Sequence, residues 1–508
     1  MADNQGKVDI PEEDSDHLVR SMENRHLQMI AIGGAIGTGL FMGSGNTIAT
    51  TGPSIVIVYA VIGLFLFFVM RAMGEILLSN LAYKSFADFC GDLIGPWAGY
   101  YVGWTYWCIW ILMGMSDTTA VAGYIKEWWP NTPGWIPVLA VIVLMFVINA
   151  ATARAFGEME FWFSAIKVVT IIALIIVGVV LIAMGFTSPD GQSHAAVSNL
   201  WSYGGMFPGG IVGFITVFPL AIYSFQGVEM VGIAVGETSN PRKNLPRAVN
   251  SVQIRVLVFY VLALAIIMSV MPWTNFDKDH SPFIMTFELI GITFAAAIIT
   301  FVCITAAASS ANSGMYSSSR IMYGLANDKD APKVFCHLSK NHVPVRALLL
   351  TAICMLPACY IVMAGGSVGA VFATLTSISA ILYITVWGMI MVAYLFFIRR
   401  HPERHAESAF KLPGGTFTAW ATIIFFVIVF GFITYVPDSR LLMLALPAWF
   451  VFLLLMWKFM NIRRKAEGVV RVDWDAERIK AEEKMNAWEA KNSQKEGSQK
   501  EGSRAQTN

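Results

Sequence analysis

The chain has 508 residues, of which 56% are apolar, 13% aromatic and only 14% charged, which excludes a string of soluble domains. Its 35 basic and 34 acidic residues nearly cancel, and the basic ones are scattered loop anchors rather than one patch, which argues against a nucleic-acid partner. Four of the six cysteines (Cys108, Cys303, Cys354, Cys359) lie in apolar runs, and Cys90 and Cys336 lie in loops assigned to the cytoplasm, so disulfides are not expected.

Residues 1–26 are polar and acidic, without a basic n-region, a short apolar core or a small-residue cleavage site. A cytoplasmic N-terminal segment is expected there, not a removable signal peptide. Apolar runs long enough to cross a bilayer, about 20 residues each, then recur. They fall at 28–48, 53–72, 97–125, 134–152, 160–185, 208–235, 251–272, 282–312, 345–364, 368–397, 419–436 and 441–460, twelve candidate spans of an all-α polytopic membrane protein. Lysine and arginine gather in alternate loops, at Lys84, Arg154, Arg242, Lys243, Arg247, Lys329, Lys333, Lys340, Arg346, Arg399, Arg400, Arg404 and Lys411. The intervening loops hold only Lys126, Lys278 and Arg440. Positive loops stay in the cytoplasm, so both termini are expected there.

The first span contains IAIGGAIGTGLFMGSG, Ile30 to Gly45. Three readings compete. A nucleotide loop would need G-x-G-x-x-G spacing after a strand, or G-x-x-x-x-G-K-[ST], and neither occurs. The pairs Gly33/Gly37 and Gly39/Gly43 fit a helix-packing face. A broken helix is the third reading, because each glycine lowers helix propensity by about 1 kcal/mol relative to alanine. Unwound backbone at membrane depth survives only beside a protein-lined cavity. Its two half-helix ends would offer N–H groups to an anion and C=O groups to a cation, the two charges of an amino acid. Transporters of this kind often carry a second break in a corresponding span, which for a five-span repeat is the sixth. That span reads FPLAIYSFQGVEMVGIAVGE, with Gly227 between Gln226 and Glu229.

Ionisable residues at mid-span are expensive and invite functional readings. Arg71 and Glu75 read as an i,i+4 pair at the cytoplasmic end of span two. Asp117, late in span three, either reaches interfacial water or takes part in coupling. Lys167 sits about 10 Å into span five, where it either snorkels or faces the break and carries one proton per cycle. Glu229 either locks the unwound part of span six or carries a proton. TAAASSANSGMYSSSR, Thr305 to Arg320, is either close helix packing or a polar wall opposite the break. The histidines, His337, His342, His401 and His405 among them, form no metal pair and read as solvated loop residues. No catalytic constellation and no cofactor motif is found, so an enzyme is not expected, nor a metal or cofactor other than the proton gradient. Beyond the spans, WDAERIKAEEKMNAWEAK, Trp474 to Lys491, reads as a charged helix, and SQKEGSQKEGS, Ser493 to Ser503, as a disordered tandem.

Taken together, GGAIGTGLFMGSG, FGEMEFWFSAIKV, FQGVEMVGIAVGETSNPRKNLPRAV and SSANSGMYSSSR resemble the bacterial amino acid transporters of the amino acid-polyamine-organocation (APC) superfamily, from about Asn24 to span twelve. RAMGEILLSNLAYKSFADF, GPWAGYYVGWTYW and MSVMPW are most similar to permeases of D-serine, D-alanine and glycine, although carriers of aromatic amino acids, lysine, proline or 4-aminobutyrate share much of the framework. The resemblance implies twelve helices in a five-plus-five inverted repeat with helices one and six broken. Repeat one would cover about 27–186, repeat two about 207–398 and two extra helices about 417–461, within a transporter domain 27–462 followed by a tail 463–508. It implies a proton-coupled symporter of small neutral amino acids in a bacterial inner membrane. Gly37, Thr38 and Gly39 would give backbone donors to the substrate carboxylate. Carbonyls near Ala35 and Ile36, and at Tyr223, Phe225 and Gln226, would receive its ammonium. Tyr106, Ile109, Trp110 and Gly114 would face the substrate, and Lys167, Glu229 and Asp117 are the candidates for proton coupling.

Overall fold

The computed structural model describes residues 36–505 except 152, 190, 231–239, 279, 290–292, 365–367, 436–439, 441, 444 and 467–471. Among the described residues the one extended pairing is an isolated bridge between Thr187 and His194; the rest of the regular structure is helix. In chain order these are α1 (Thr38–Phe41), α2 (Gly43–Thr51), α3 (Ile55–Ser79), α4 (Phe86–Leu93), α5 (Pro96–Trp128), α6 (Trp135–Ala151) and α7 (Ala153–Ala183). After a long connection come α8 (Gly210–Thr216), α9 (Phe218–Tyr223), α10 (Pro241–Arg255), α11 (Ala263–Val270), α12 (Pro282–Leu289) and α13 (Thr293–Asn327). The chain then forms α14 (Val345–Met355), α15 (Pro357–Met363), α16 (Val368–Arg400), α17 (Pro402–Glu407), α18 (Gly415–Tyr435), α19 (Ala445–Ala466) and α20 (Trp474–Ala505).

Among the described residues nine helical stretches are long and apolar enough to cross a membrane, one of which, Gly43–Ser79, takes in the end of the first expected span and all of the second. Two shorter apolar stretches, Trp135–Ala151 and Gly210–Tyr223, lie where spans four and six were expected. Local chemistry explains the interruptions. Gly52 adopts φ +63° between α2 and α3, a conformation that disfavours any residue with a Cβ. Pro357 lacks an N–H and its ring crowds the preceding turn, so α14 stops and α15 restarts there. Between α10 and α11 the seventh span widens into a π-helical segment, Val256–Leu262, of the kind found at functional sites.

The central helix is α5. In its apolar window 78% of residues are buried, against 6% in Leu446–Lys465, which leaves α19 at the lipid-facing rim. Helix α5 packs along α13 and α16, and small residues bring the backbones together. A Cβ on Gly314 would stand 3.2 Å from the carbonyl oxygen of Trp110. The short helix α4 buries Phe86, Phe89, Cys90 and Leu93, the i, i+3, i+4, i+7 face of an amphipathic turn, and a Ser85/Asp88 capping box starts it.

At the end of the bundle that carries the basic loops, two expectations are corrected. Arg71 and Glu75 turn to different partners. The Arg71 guanidinium lies over the Phe410 ring and donates to the Lys411 carbonyl and to Asn250. Buried Glu75 accepts from Tyr394 Oη at 2.8 Å and from the Leu412 amide at 2.7 Å, and pairs with His405 Nδ1 at 2.6 Å. His405 is therefore a half-buried partner of a carboxylate and not a solvated loop residue. The charged helix after the last span forms, with Lys480–Glu477 and Arg478–Glu482 pairs along it. It continues to Ala505, through the tandem expected to be disordered. Ahead of that tandem, the Trp474 ring packs on Tyr83, Asp475 pairs with Arg404 at 2.7 Å and Glu489 with Arg242 at 3.3 Å.

Candidate functional site

Ile36 is buried and non-helical, and Gly37 is extended at φ −126°, ψ −164°; helix begins only at Thr38. The described part of the first span therefore becomes helical only at Thr38, while Gly33, Gly34 and Ala35, on which the broken-helix reading also rests, lie outside the described residues. The sixth span leaves α-helix at Tyr223. From Ser224 to Glu229 the chain turns, with hydrogen bonds that close three residues back: Phe225 N to Ile222 O, Gln226 N to Tyr223 O, Val228 N to Phe225 O and Met230 N to Gly227 O. Gly227 makes this possible at φ +89°.

The start of α1 and the turn of span six touch. A Cβ on Gly39 would lie 2.6 Å from Ser224 Cα, and one on Gly43 would lie 3.1 Å from Leu220 Cδ1. Gly39 and Gly43 therefore both lie against the sixth span, as the packing-face reading of that pair expects. The turn at Ser224 is fixed from three sides. Tyr59 of α3 bonds its hydroxyl at 2.9 Å, Tyr260 of the π segment donates to its carbonyl at 2.7 Å, and Phe225 stacks on Tyr260 at 4.8 Å between ring centroids.

Asp117 joins the breaks. It is fully buried, not at interfacial water, and its Oδ1 accepts from Thr38 Oγ1 at 2.5 Å and from Tyr223 Oη at 3.3 Å. Thr38 and Tyr223 stand 3.4 Å apart, so three spans converge on one carboxylate oxygen. Glu229 is also fully buried; its Oε1 accepts from Tyr106 and Tyr383, both at 3.0 Å, and from the Gly227 amide at 3.3 Å. It locks the turn of span six to α5 and α16. Beside these, Gln226 is buried and neither polar atom of its side chain has a hydrogen-bond partner among the described residues. Such an amide costs about 1–3 kcal/mol unless something polar meets it.

Lys167 does not snorkel. It is 1% exposed, and its ammonium donates to Ser309 Oγ at 3.0 Å with Glu160 Oε1 at 3.9 Å. Ser309 and Ser310 come from the hydroxyl-rich part of span eight, and Ser310 Oγ lies 3.3 Å from where a Cβ on Gly37 would be. That stretch therefore packs against Gly37 at the start of α1.

The profile of the amino acid permease family matches residues 26–468. The chain belongs to this family of membrane transporters. The permease is 50% identical over 450 residues to the D-serine/D-alanine/glycine transporter of Escherichia coli strain K12, an alignment covering 89% of this chain and 96% of the relative. It is 42% identical over 451 residues to the amino-acid permease AapA of Bacillus subtilis, covering 88% and 96%.

Of the residues in the permease that the resemblance placed against the substrate, Tyr106 is a partner of Glu229 and packs edge-on against Phe86 and Trp110. Ile109 and Trp110 are fully buried in the core around α5. Gly114 has its open side filled by Met355, whose Cε would be 2.5 Å from a Cβ there, so it serves the approach of α14 to α5. Sequence reasoning missed Glu160, Tyr59, Tyr260 and Tyr383. Only Glu160 left a signal: it stands seven residues before Lys167, two turns away on the same helix face.

Proposed function

We propose that this permease is a proton-coupled symporter that imports glycine, D-alanine and D-serine by alternating access. The same reading gives it twelve spans in a five-plus-five inverted repeat with two further helices, a bacterial inner membrane and cytoplasmic termini. The observation that carries the proposal is the helix start at Gly37–Gly39 pressed on the turn at Ser224–Glu229, gathered around Asp117 beside the unpartnered amide of Gln226.

A zwitterion suits such a gap. Amides at Gly37, Thr38 and Gly39 would meet its carboxylate, and carbonyls near Ala35, Ile36, Tyr223, Phe225 and Gln226 its ammonium. Ser310 stands close to Gly37, and Gly39 is pressed on Ser224, so little room remains beside the first break. A hydrogen atom, a methyl or a hydroxymethyl group fits that limit. The name of the Escherichia coli relative, at 50% identity, supports the same three substrates. Lys167 is the proton carrier in this reading, since it is buried beside a hydroxyl and a carboxylate that can each exchange a proton.

Binding to the purified protein tests the substrate assignment. D-Alanine should bind, whereas D-alaninol, without the carboxylate, and N-acetyl-D-alanine, without the ammonium, should each lose about tenfold or more, the worth of one charged hydrogen bond. Equal binding of either derivative would remove the half-helix ends from recognition.

A further inference from the structure

Glu160 lies in α7, two turns or about 10 Å of helix nearer than Lys167 to the end where Ala153 begins. It is fully buried, as are Ser164 and Ser309 beside it. The Ser309 hydroxyl donates to the carboxylate, 2.9 Å from each oxygen, while its own oxygen accepts from the Lys167 ammonium at 3.0 Å. Direct contact is longer, at 3.9 Å, so the hydroxyl is the shorter path between the charges. Ser164 adds a weaker donor at 3.4 Å from the same helix. Asp117 is within electrostatic reach of Lys167, which ties this group to the two helix breaks.

We propose that Glu160 is the proton's next station: the coupling proton passes from Lys167 through the Ser309 hydroxyl to the Glu160 carboxylate. The inference rests on the symport reading above. In the step, one N–H bond of the ammonium breaks as its proton moves to Ser309 Oγ, and the serine's original proton moves to Glu160. An ammonium, a hydroxyl and a carboxylate become an amine, a hydroxyl and a carboxylic acid. Charge is conserved, and a buried ion pair becomes two neutral groups, which a low-dielectric site favours over leaving either charge alone. Since Glu160 is nearer the end of α7 that joins a basic loop, release from it delivers the proton to the cytoplasmic side without Lys167 having to reach water.

Proteoliposomes separate this step from substrate movement. Accumulation of labelled D-alanine under an inward proton gradient would be measured beside counterflow in preloaded vesicles at equal pH. Glu160→Gln and Ser309→Ala should lower the initial rate of gradient-driven accumulation by about 100-fold or more, the usual worth of a positioned proton-transfer group, while counterflow stays comparable to the wild type. Ser309→Thr, which keeps the hydroxyl, should restore accumulation. Wild-type accumulation with an unaffected Glu160→Gln would overturn the relay alone, and a wild type that ignores the gradient would overturn symport and the relay together. If Glu160→Gln does not fold, the serine pair decides: Ala and Thr behaving alike would overturn the relay.

Discussion

Replacing Gly39 by alanine should separate the two broken helices. The added Cβ would stand 2.6 Å from Ser224 Cα and 2.8 Å from Ser224 Oγ, where carbon atoms normally rest about 3.5–4.0 Å apart. Backbone at Ser224 cannot easily yield, because its amide bonds Leu220 O at 3.1 Å, its carbonyl accepts from Tyr260 at 2.7 Å and its hydroxyl bonds Tyr59 at 2.9 Å. The first span must therefore move by about 1 Å, at an overpacking cost of about 1–3 kcal/mol. A displacement of that size at a site of positioned groups can cost about 100-fold in function. Gly37 is the control. Its extended backbone accepts alanine, and the nearest atom to the new Cβ is the rotatable Ser310 Oγ at 3.3 Å. Thermal unfolding and D-alanine binding of the purified variants make the comparison. Gly39→Ala should unfold at a clearly lower temperature and bind at least about tenfold more weakly, with Gly37→Ala close to the wild type in unfolding. A Gly39→Ala protein as stable and as tight-binding as the wild type would refute the close approach of the two interruptions.

Three other consequences can be measured. Tyr383→Phe and Tyr106→Phe each remove one donor from buried Glu229, so each should destabilise by about 1–3 kcal/mol and the pair by more; urea or thermal unfolding that leaves both unchanged would dismiss the lock. Glu75→Ala deprives Tyr394, the Leu412 amide and His405 of a common acceptor, and should lower thermal stability by about 3 kcal/mol or more. An unchanged unfolding temperature would show that the cluster is slack. Burial pushes the Asp330 carboxyl up to about 7, against the pull of Arg464 at 3.0 Å. Between about pH 4, the ordinary value, and about 7 the folded chain holds a proton that the unfolded chain has shed, so stability falls as pH rises through that window. Asp330→Asn lacks this term, and the wild type should therefore lose ground to the variant over that range; a pH-independent difference in unfolding temperature would contradict it.

Hydropathy made the membrane spans legible, because any residue run facing lipid must be apolar whatever it packs against. The turn of span six at Gly227 was legible too, since glycine weakens helix locally and needs no tertiary partner to do so. What the sequence could not reveal is direction. Asp117 carries no mark of whether it points to water or inward, and only the meeting of three spans fixes it on Thr38 and Tyr223. Gly39 and Gly114 are the same residue type in spans one and three, yet one faces Ser224 and the other Met355. Arg71 and Glu75 have the spacing of an ion pair, but Lys411, Phe410 and His405, far along the chain, outcompete it. The charged helix from Trp474 has a composition that buries little of its own, and its anchoring by Trp474, Asp475 and Glu489 depends on Tyr83, Arg404 and Arg242 far along the chain.

The central claim is that a proton gradient drives a small zwitterion into the gap between the two interruptions. Its most direct test is uptake of labelled D-alanine into empty proteoliposomes with and without an inward proton gradient. For one proton per substrate, each pH unit of gradient is worth about 1.4 kcal/mol and so about tenfold accumulation. The account predicts accumulation that follows the imposed gradient and disappears in Lys167→Met. Uptake that never exceeds equilibrium, or that appears only in vesicles preloaded with amino acid, would contradict it and make the protein an exchanger or a carrier of another substrate.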